Sequence, residues 1–245
     1  MTPLSPAQLR AVIDTTWPPA RISQQDPWTL RVGDGGGKRV SAATTTTKVS
    51  QTDVRAAEDA MRGFGQTPLF QLYGTEPGLD DMLAAQGYLH LDRTILYLCA
   101  LAELDTKAPS PLTTLRGDTP LPIMREIWAA GGIGPARVAI MERAPGPKTM
   151  ILGRLGDRPV GAAFVAASGP IAMIHAIEVL CEHRRRGAGR NMLARAAVWA
   201  RDAGCTHLSL LVTEANVSAN ALYRSLGMVQ AGSYHYRMKP GTQNR

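Results

Sequence analysis

Met192, Ala196, Trp199 and Ala203 recur every three or four residues, with Arg190, Arg195 and Arg201 between them. That spacing predicts a helix running on from Gly189, with one apolar face and charge kept for another. The same period predicts helices over 7–16, 51–63, 79–86, 121–131 and 218–226. Trp17-Pro18-Pro19 stops the first of these, and Gly87 and Gly227 close the third and the last. Short runs of aliphatic and β-branched residues predict strands over 39–49, 68–73, 89–98, 136–141, 149–156, 158–167, 171–180, 206–213 and 229–238. Gly156-Asp157 reads as a hairpin turn, and an irregular strand over 21–37 enters the turn Gly33–Gly37.

Strands and helices therefore alternate, which is the pattern of an α/β protein. Residues 109–120, rich in proline and threonine and without apolar period, read as a linker. The two sides of it echo each other. The stretch from Gly65 carries a strand, a Thr75-Glu76 loop, a helix closed by Gly87 and a further strand. The stretch from Gly204 carries a strand, a Thr213-Glu214 loop, a helix closed by Gly227 and a further strand. This self-similarity points to a tandem duplication, against the alternative that any such unit looks alike.

Charge sharpens the picture. The net charge is +7, but residues 1–115 carry 10 Lys and Arg against 12 Asp and Glu, and residues 116–245 carry 17 against 8. Much of the basic excess sits in Arg184-Arg185-Arg186-Gly187-Ala188-Gly189-Arg190, between a strand and a helix. The first amides of a helix lack partners inside it and, with the helix dipole, attract an anion. Glycine lets a phosphate approach the backbone. The turn thus reads as a site for a phosphate-bearing ligand, or else as a solvated basic turn. Arginines gathered at a helix start, not spread along an aromatic-lined stripe, favour a polyphosphate cofactor over nucleic acid. The three cysteines, Cys99, Cys181 and Cys205, lie far apart and support neither a zinc site nor a disulfide framework. No metal is expected. No apolar run approaches a membrane span, and MTPLSPAQLRAVID has no apolar core behind a basic start, so no membrane partner and a cytoplasmic location are expected. The oligomeric state is not legible.

With Arg184, Gly187 and Gly189 in an RxxGxG turn, followed by NVSANALYRSLGM from Asn216, the sequence resembles the GNAT superfamily of acyl-CoA-dependent N-acetyltransferases. The resemblance covers about 121–240, with Met228 where the family usually has phenylalanine. It implies tandem GNAT-like domains of α/β fold, each a mixed, mostly antiparallel sheet flanked by helices. These are a degenerate domain over 1–108, the linker 109–120 and a catalytic domain over 121–240. Acetyl-CoA is then the co-substrate and an amine the acceptor; the alternative is a non-catalytic acyl-CoA sensor. By the resemblance, backbone amides of Arg185, Arg186, Gly187, Ala188, Gly189 and Arg190 cradle the pyrophosphate, with Arg184 beside them. Ile177 and Val179 bond the pantetheine and acetyl groups, between strands that splay, and Asn216, near Ala219, bonds the same arm. Tyr223 protonates the departing thiolate.

An amine must lose a proton before it attacks. Glu178 is the candidate base, placed by simple alternation on the face of Ala176 and away from Ile177 and Val179. Its alternative is a structural ion pair with an arginine. His175 is a weaker candidate, with plain packing as its alternative. Asn216 could equally serve a turn, and Tyr223 could be a core aromatic. In the first half the positions of Asn216 and Tyr223 correspond to Gly78 and Leu83, and no RxxGxG is present. That half is expected to hold no cofactor.

Overall fold

The computed structural model describes residues 5–240; residues 1–4, part of the N-terminal reading, lie outside it. The chain packs as two units. The larger comprises the residues up to Pro18, Leu96–Val212 and Asn216–Ala231, and the smaller comprises Pro19–Ile95, Thr213–Ala215 and the residues from Gly232.

In the larger unit, helix α1 (Pro6–Thr16) starts at a reciprocal cap between Ser5 and Gln8. The smaller unit follows with strands β1 (Arg21–Gln25) and β2 (Trp28–Val32), α2 (Gln51–Gly63), β3 (Leu69–Leu72) and α3 (Leu79–Ala85). Strand β4 (Leu89–Ala100) contributes residues to both units. The larger unit then resumes with β5 (Thr114–Gly117), α4 (Pro122–Ala130), α5 (Pro135–Arg143), β6 (Lys148–Leu155), β7 (Arg158–Ser168) and β8 (Ile171–Val179). It continues with α6 (Ala188–Asp202), β9 (His207–Thr213), α7 (Val217–Ser225) and the start of β10 (Val229–Met238).

Strands of the larger unit lie in the order β4-β9-β8-β7-β6-β5. The antiparallel ladder β6–β7–β8 is built from buried Ile151, Val160, Phe164, Val165, Met173 and Ile174. Met192 of α6 lies where Cβ atoms on Gly153 and Gly161 would stand, whereas Phe164 and His175 pack at a tilt against Trp17 just after α1. Because Gly161 and Phe164 point to opposite faces of β7, α6 and α1 cover opposite faces of the sheet. No helix among the described residues is long and apolar enough to cross a membrane.

The smaller unit packs Trp28, Leu30, Val54, Met61, Phe70, Leu72, Leu83 and Tyr88 into one cluster. Ala43 bridges Phe70 in parallel, with α2 as the crossover, so this unit repeats the β8–α6–β9 arrangement in miniature. The neighbour of β3, however, is β10, with Tyr236 opposite Gln71, while the outer neighbour of β9 is β4. The last strand of each sequence half thus completes the ladder of the other half's unit.

Several expectations change. The compact units do not divide at 109–120, because Thr114–Gly117 is strand β5, paired with β6, and Arg195 bonds Thr114 Oγ1 and the Pro109 carbonyl. Residues 5–18 belong with the larger unit because the apolar face of α1 packs on β7 and β8. The run 136–141 is helix α5, not a strand; a short apolar run fits either, and Pro135 at a helix start decides. Residues 38–40 form a 3₁₀ turn, and 39–49 is not one strand but joins the ladder only at Ala43 and Thr44.

Candidate functional site

Strand β8 carries the predicted Ile177, Glu178 and Val179 at its end. Its parallel pairing with β9 runs from Ile171 opposite His207 to Ile174 opposite Leu210. Beyond that point β8 bends. Phe164 faces His175 but Ala162 faces Glu178, so β8 holds one extra residue, and Ala176 takes a left-handed φ of 50°. The carbonyl of Ala176 accepts the indole N–H of Trp128 from α4 at 2.8 Å. The bulge turns β8 aside at the place where its ladder with β9 stops.

The bulge also resets the alternation. Glu178 shares a sheet face with His175, not with Ala176, because His175 and Glu178 oppose Phe164 and Ala162 two residues apart on β7. Glu178 there lies against Gly131, whose absent Cβ would stand 2.4 Å from Cδ of Glu178. Oε1 of Glu178 accepts Nη2 of Arg184 at 2.9 Å and the backbone N–H of Val179 at 3.1 Å. Arg184 also donates Nε to the Val179 carbonyl at 2.9 Å. Arg184 is therefore folded back onto β8, and the ion pair that was the alternative reading of Glu178 is present.

Next comes the turn. Arg185 and Gly187 both take positive φ, 62° and 88°, and Gly187 is the residue that precedes α6. No side chain caps α6. The smaller unit's equivalent helix, α2, differs: Ser50 accepts the Asp53 amide, and the Asp53 carboxylate accepts the Ser50 amide. One helix start holds its own carboxylate, and the other presents amides beside exposed Arg185 and Arg186. Arg190 reaches Asp105, with Nη2 at 3.3 Å from its carbonyl and 3.7 Å from Oδ2. Ala188 is buried, and Gly189 faces Leu222 of α7 across a gap in which a Cβ would sit 3.7 Å from Cδ2. The two motif segments are thereby brought together.

Asn216 precedes α7, and its Oδ1 accepts the Ala219 amide at 3.1 Å, the turn role weighed above. Tyr223 is buried, its ring centroid 5.8 Å from that of Tyr97, and burial pushes its phenol up to about 12. Tyr97 donates its hydroxyl to Oδ1 of buried Asn220 at 3.1 Å and accepts Nε of Arg224 at 3.1 Å. Asn220 in turn donates Nδ2 to the Asn216 carbonyl at 2.8 Å. His175 is packed, with Nε2 2.9 Å from Thr16 Oγ1.

Trp128, Tyr97 and Asn220 were missed from sequence. Trp128 and Asn220 carried faint signals, one an indole inside a short helix and the other a polar residue on the buried side of one. Tyr97 carried none, since it reaches α7 from the other sequence half.

These features agree with known proteins. Residues 120–228 match the acetyltransferase (GNAT) family. The chain is 27% identical over 239 residues to the uncharacterized N-acetyltransferase YobR of Bacillus subtilis (strain 168), covering 91% of this chain and 94% of that one. Its fold is similar to that of a GCN5-related N-acetyltransferase from Kribbella flavida, with a TM-score of 0.72, 20% identity, and coverage of 97% and 96%. A tandem GNAT protein from the clavulanic acid biosynthesis pathway superposes with a TM-score of 0.61 at 14% identity, over 98% of this chain and 91% of its own. The fold is the mixed α/β sheet flanked by helices of these proteins. The segment 120–228, with its bulged strand and uncapped glycine turn, is thus a GNAT-family acetyltransferase segment, and the chain that carries it is an acyltransferase.

Proposed function

We propose that the chain moves an acetyl group from acetyl-CoA directly to a primary amine, in the gap that opens beyond Ile174. The observation that carries this reading is the uncapped start of α6 immediately after a strand that leaves its neighbour. The residues fit the ligand: open amides at 187–190 and the guanidinium groups of Arg185 and Arg186 suit a pyrophosphate, and backbone groups at Ile177 and Val179 suit an amide-bearing arm. Bound there, acetyl-CoA supplies an activated acyl carbon.

The chain's own groups do the rest. Glu178 accepts the proton that the amine loses. As the carboxyl turns toward the amine, the Val179 amide that it holds is released to donate to the oxygen on which negative charge develops. Tyr223, protonated because it is buried, donates its hydroxyl toward the leaving sulfur. Tyr97 and Asn220 hold α7 in place behind it. The first turn of α2, filled by Asp53, supports the reading that the smaller unit holds no acetyl-CoA.

Calorimetry with acetyl-CoA tests the reading. Arg185→Glu with Arg186→Glu alters exposed residues only, and should weaken binding by roughly tenfold or more. Saturable binding unchanged in that variant, or none in the parent chain, overturns it. A panel of amines with a thiol-release readout then identifies the acceptor.

A further inference from the structure

The smaller unit contains a cleft of about 290 Å³ that acetyl transfer does not use. It is lined by Tyr73, His90, Arg93, Ser233, Tyr234 and His235, on β4, β10 and the end of β3, together with Leu72 and Gly74. The lining includes no carboxylate. His90 and His235 stack face to face, with centroids 4.4 Å apart and planes at 19°. His235 Nε2 meets Asp80 Oδ1 at 2.9 Å, and the same oxygen accepts Nε of Arg237 at 2.6 Å. Asp80 is thus held by an imidazole and a guanidinium, and Arg237 holds its carboxyl down at about 2. Arg93 pairs with Glu214 at 3.5 Å, with both side chains half exposed, an arrangement that holds the guanidinium weakly. Behind the wall, the shielded guanidinium of Arg39 is hydrogen-bonded to Tyr234 and lies in the field of Tyr73 and Tyr236.

We propose that this cleft binds a small oxyanion, a carboxylate or a phosphate, between His90, Arg93 and the hydroxyl of Ser233. Its volume suits a metabolite-sized ligand and not a large cofactor. The charged groups that act on His90 are Arg93, Arg237 and Asp80, and cations outnumber carboxylates there. Shielding from water, with His235 and Arg237 next in effect and Asp80 opposing, keeps His90 below the usual histidine range. An arriving anion reverses that balance, so binding takes up a proton at His90 and tightens as pH falls.

NMR of the histidine Cε1–Hε1 resonances reads this directly, since the chain has only five histidines. Succinate and inorganic phosphate are titrated separately at low ionic strength, at pH 5.5 and pH 7.5. Saturable shifts of His90 and His235 with one probe or both are expected, tighter by roughly tenfold at the lower pH. His175 and His207 stay still, and His183, beside the α6 turn, reports the other anion site. His90→Ala with Arg93→Ala, both exposed residues, should abolish the response while acetyl-CoA binding persists. Shifts that do not saturate with either probe, or that survive this double substitution, overturn the proposal. Loss of acetyl-CoA binding in the parent chain would count against the transferase reading alone.

Discussion

Trp128 donates its indole N–H to the carbonyl of Ala176 at 2.8 Å, and this bond ties α4 to the extra residue of β8. Ala176 sits at a φ of 50° without being glycine, a strained position that neighbours must hold. Trp128→Phe keeps most of the buried ring but leaves that carbonyl without its donor. A cost of about 1–3 kcal/mol in urea unfolding is expected, with a raised KM for acetyl-CoA as the gap loses its shape. An unchanged KM in a destabilised protein would show that the bulge does not set the cofactor's place.

Gly131 offers a way to move Glu178 without altering its charge. A methyl group there would stand 2.4 Å from the Glu178 carboxyl, which is the flexible end of a side chain and can swing away. The backbone φ of −88° accepts alanine readily. Gly131→Ala should therefore leave thermal stability almost unchanged while breaking the Arg184 contact and lowering kcat. Glu178→Gln, which keeps the shape and removes the proton acceptor, should lower kcat further with little change in acetyl-CoA affinity. If Glu178→Gln turns over normally, the carboxylate serves only to hold Arg184.

The Tyr223 phenol, pushed up to about 12, stays protonated throughout the working range. A pH profile of kcat should show no fall attributable to it between pH 8 and pH 10.5, where an ordinary tyrosine begins to ionise at about 10. The folded chain keeps a proton that the unfolded chain releases, so the contribution is complete below about pH 10 and is lost as pH rises from there through 12. Tyr223→Phe should lower kcat, leave acetyl-CoA affinity nearly intact and remove this alkaline sensitivity. A downturn near pH 9 that disappears in Tyr223→Phe would contradict the buried, protonated state.

Much of the site was legible because its signals are local. A glycine at φ 88° before a helix, arginines around it and an Asn-x-x-Ala start to the next helix all lie within a few residues of what they position. The face of Glu178 was misread because β8 gains its extra residue at Ala176, where neither glycine nor proline marks a bulge. Helix α5 was misread because Val138, Ala139, Ile140 and Met141 satisfy the strand and the helix periods over so short a span. The repeat itself could be seen in the Gly65 and Gly204 stretches. The partner of each closing strand could not, since pairing partners lie far off in sequence.

That exchange has a consequence for how the chain comes to be folded. Until β10 has been synthesised, β3 is left with a bare row of amides and carbonyls, so the part made first cannot finish alone. Closure over so many intervening residues makes folding slow. A chain cut between Ala108 and Pro122 should yield two pieces that regain order only when mixed.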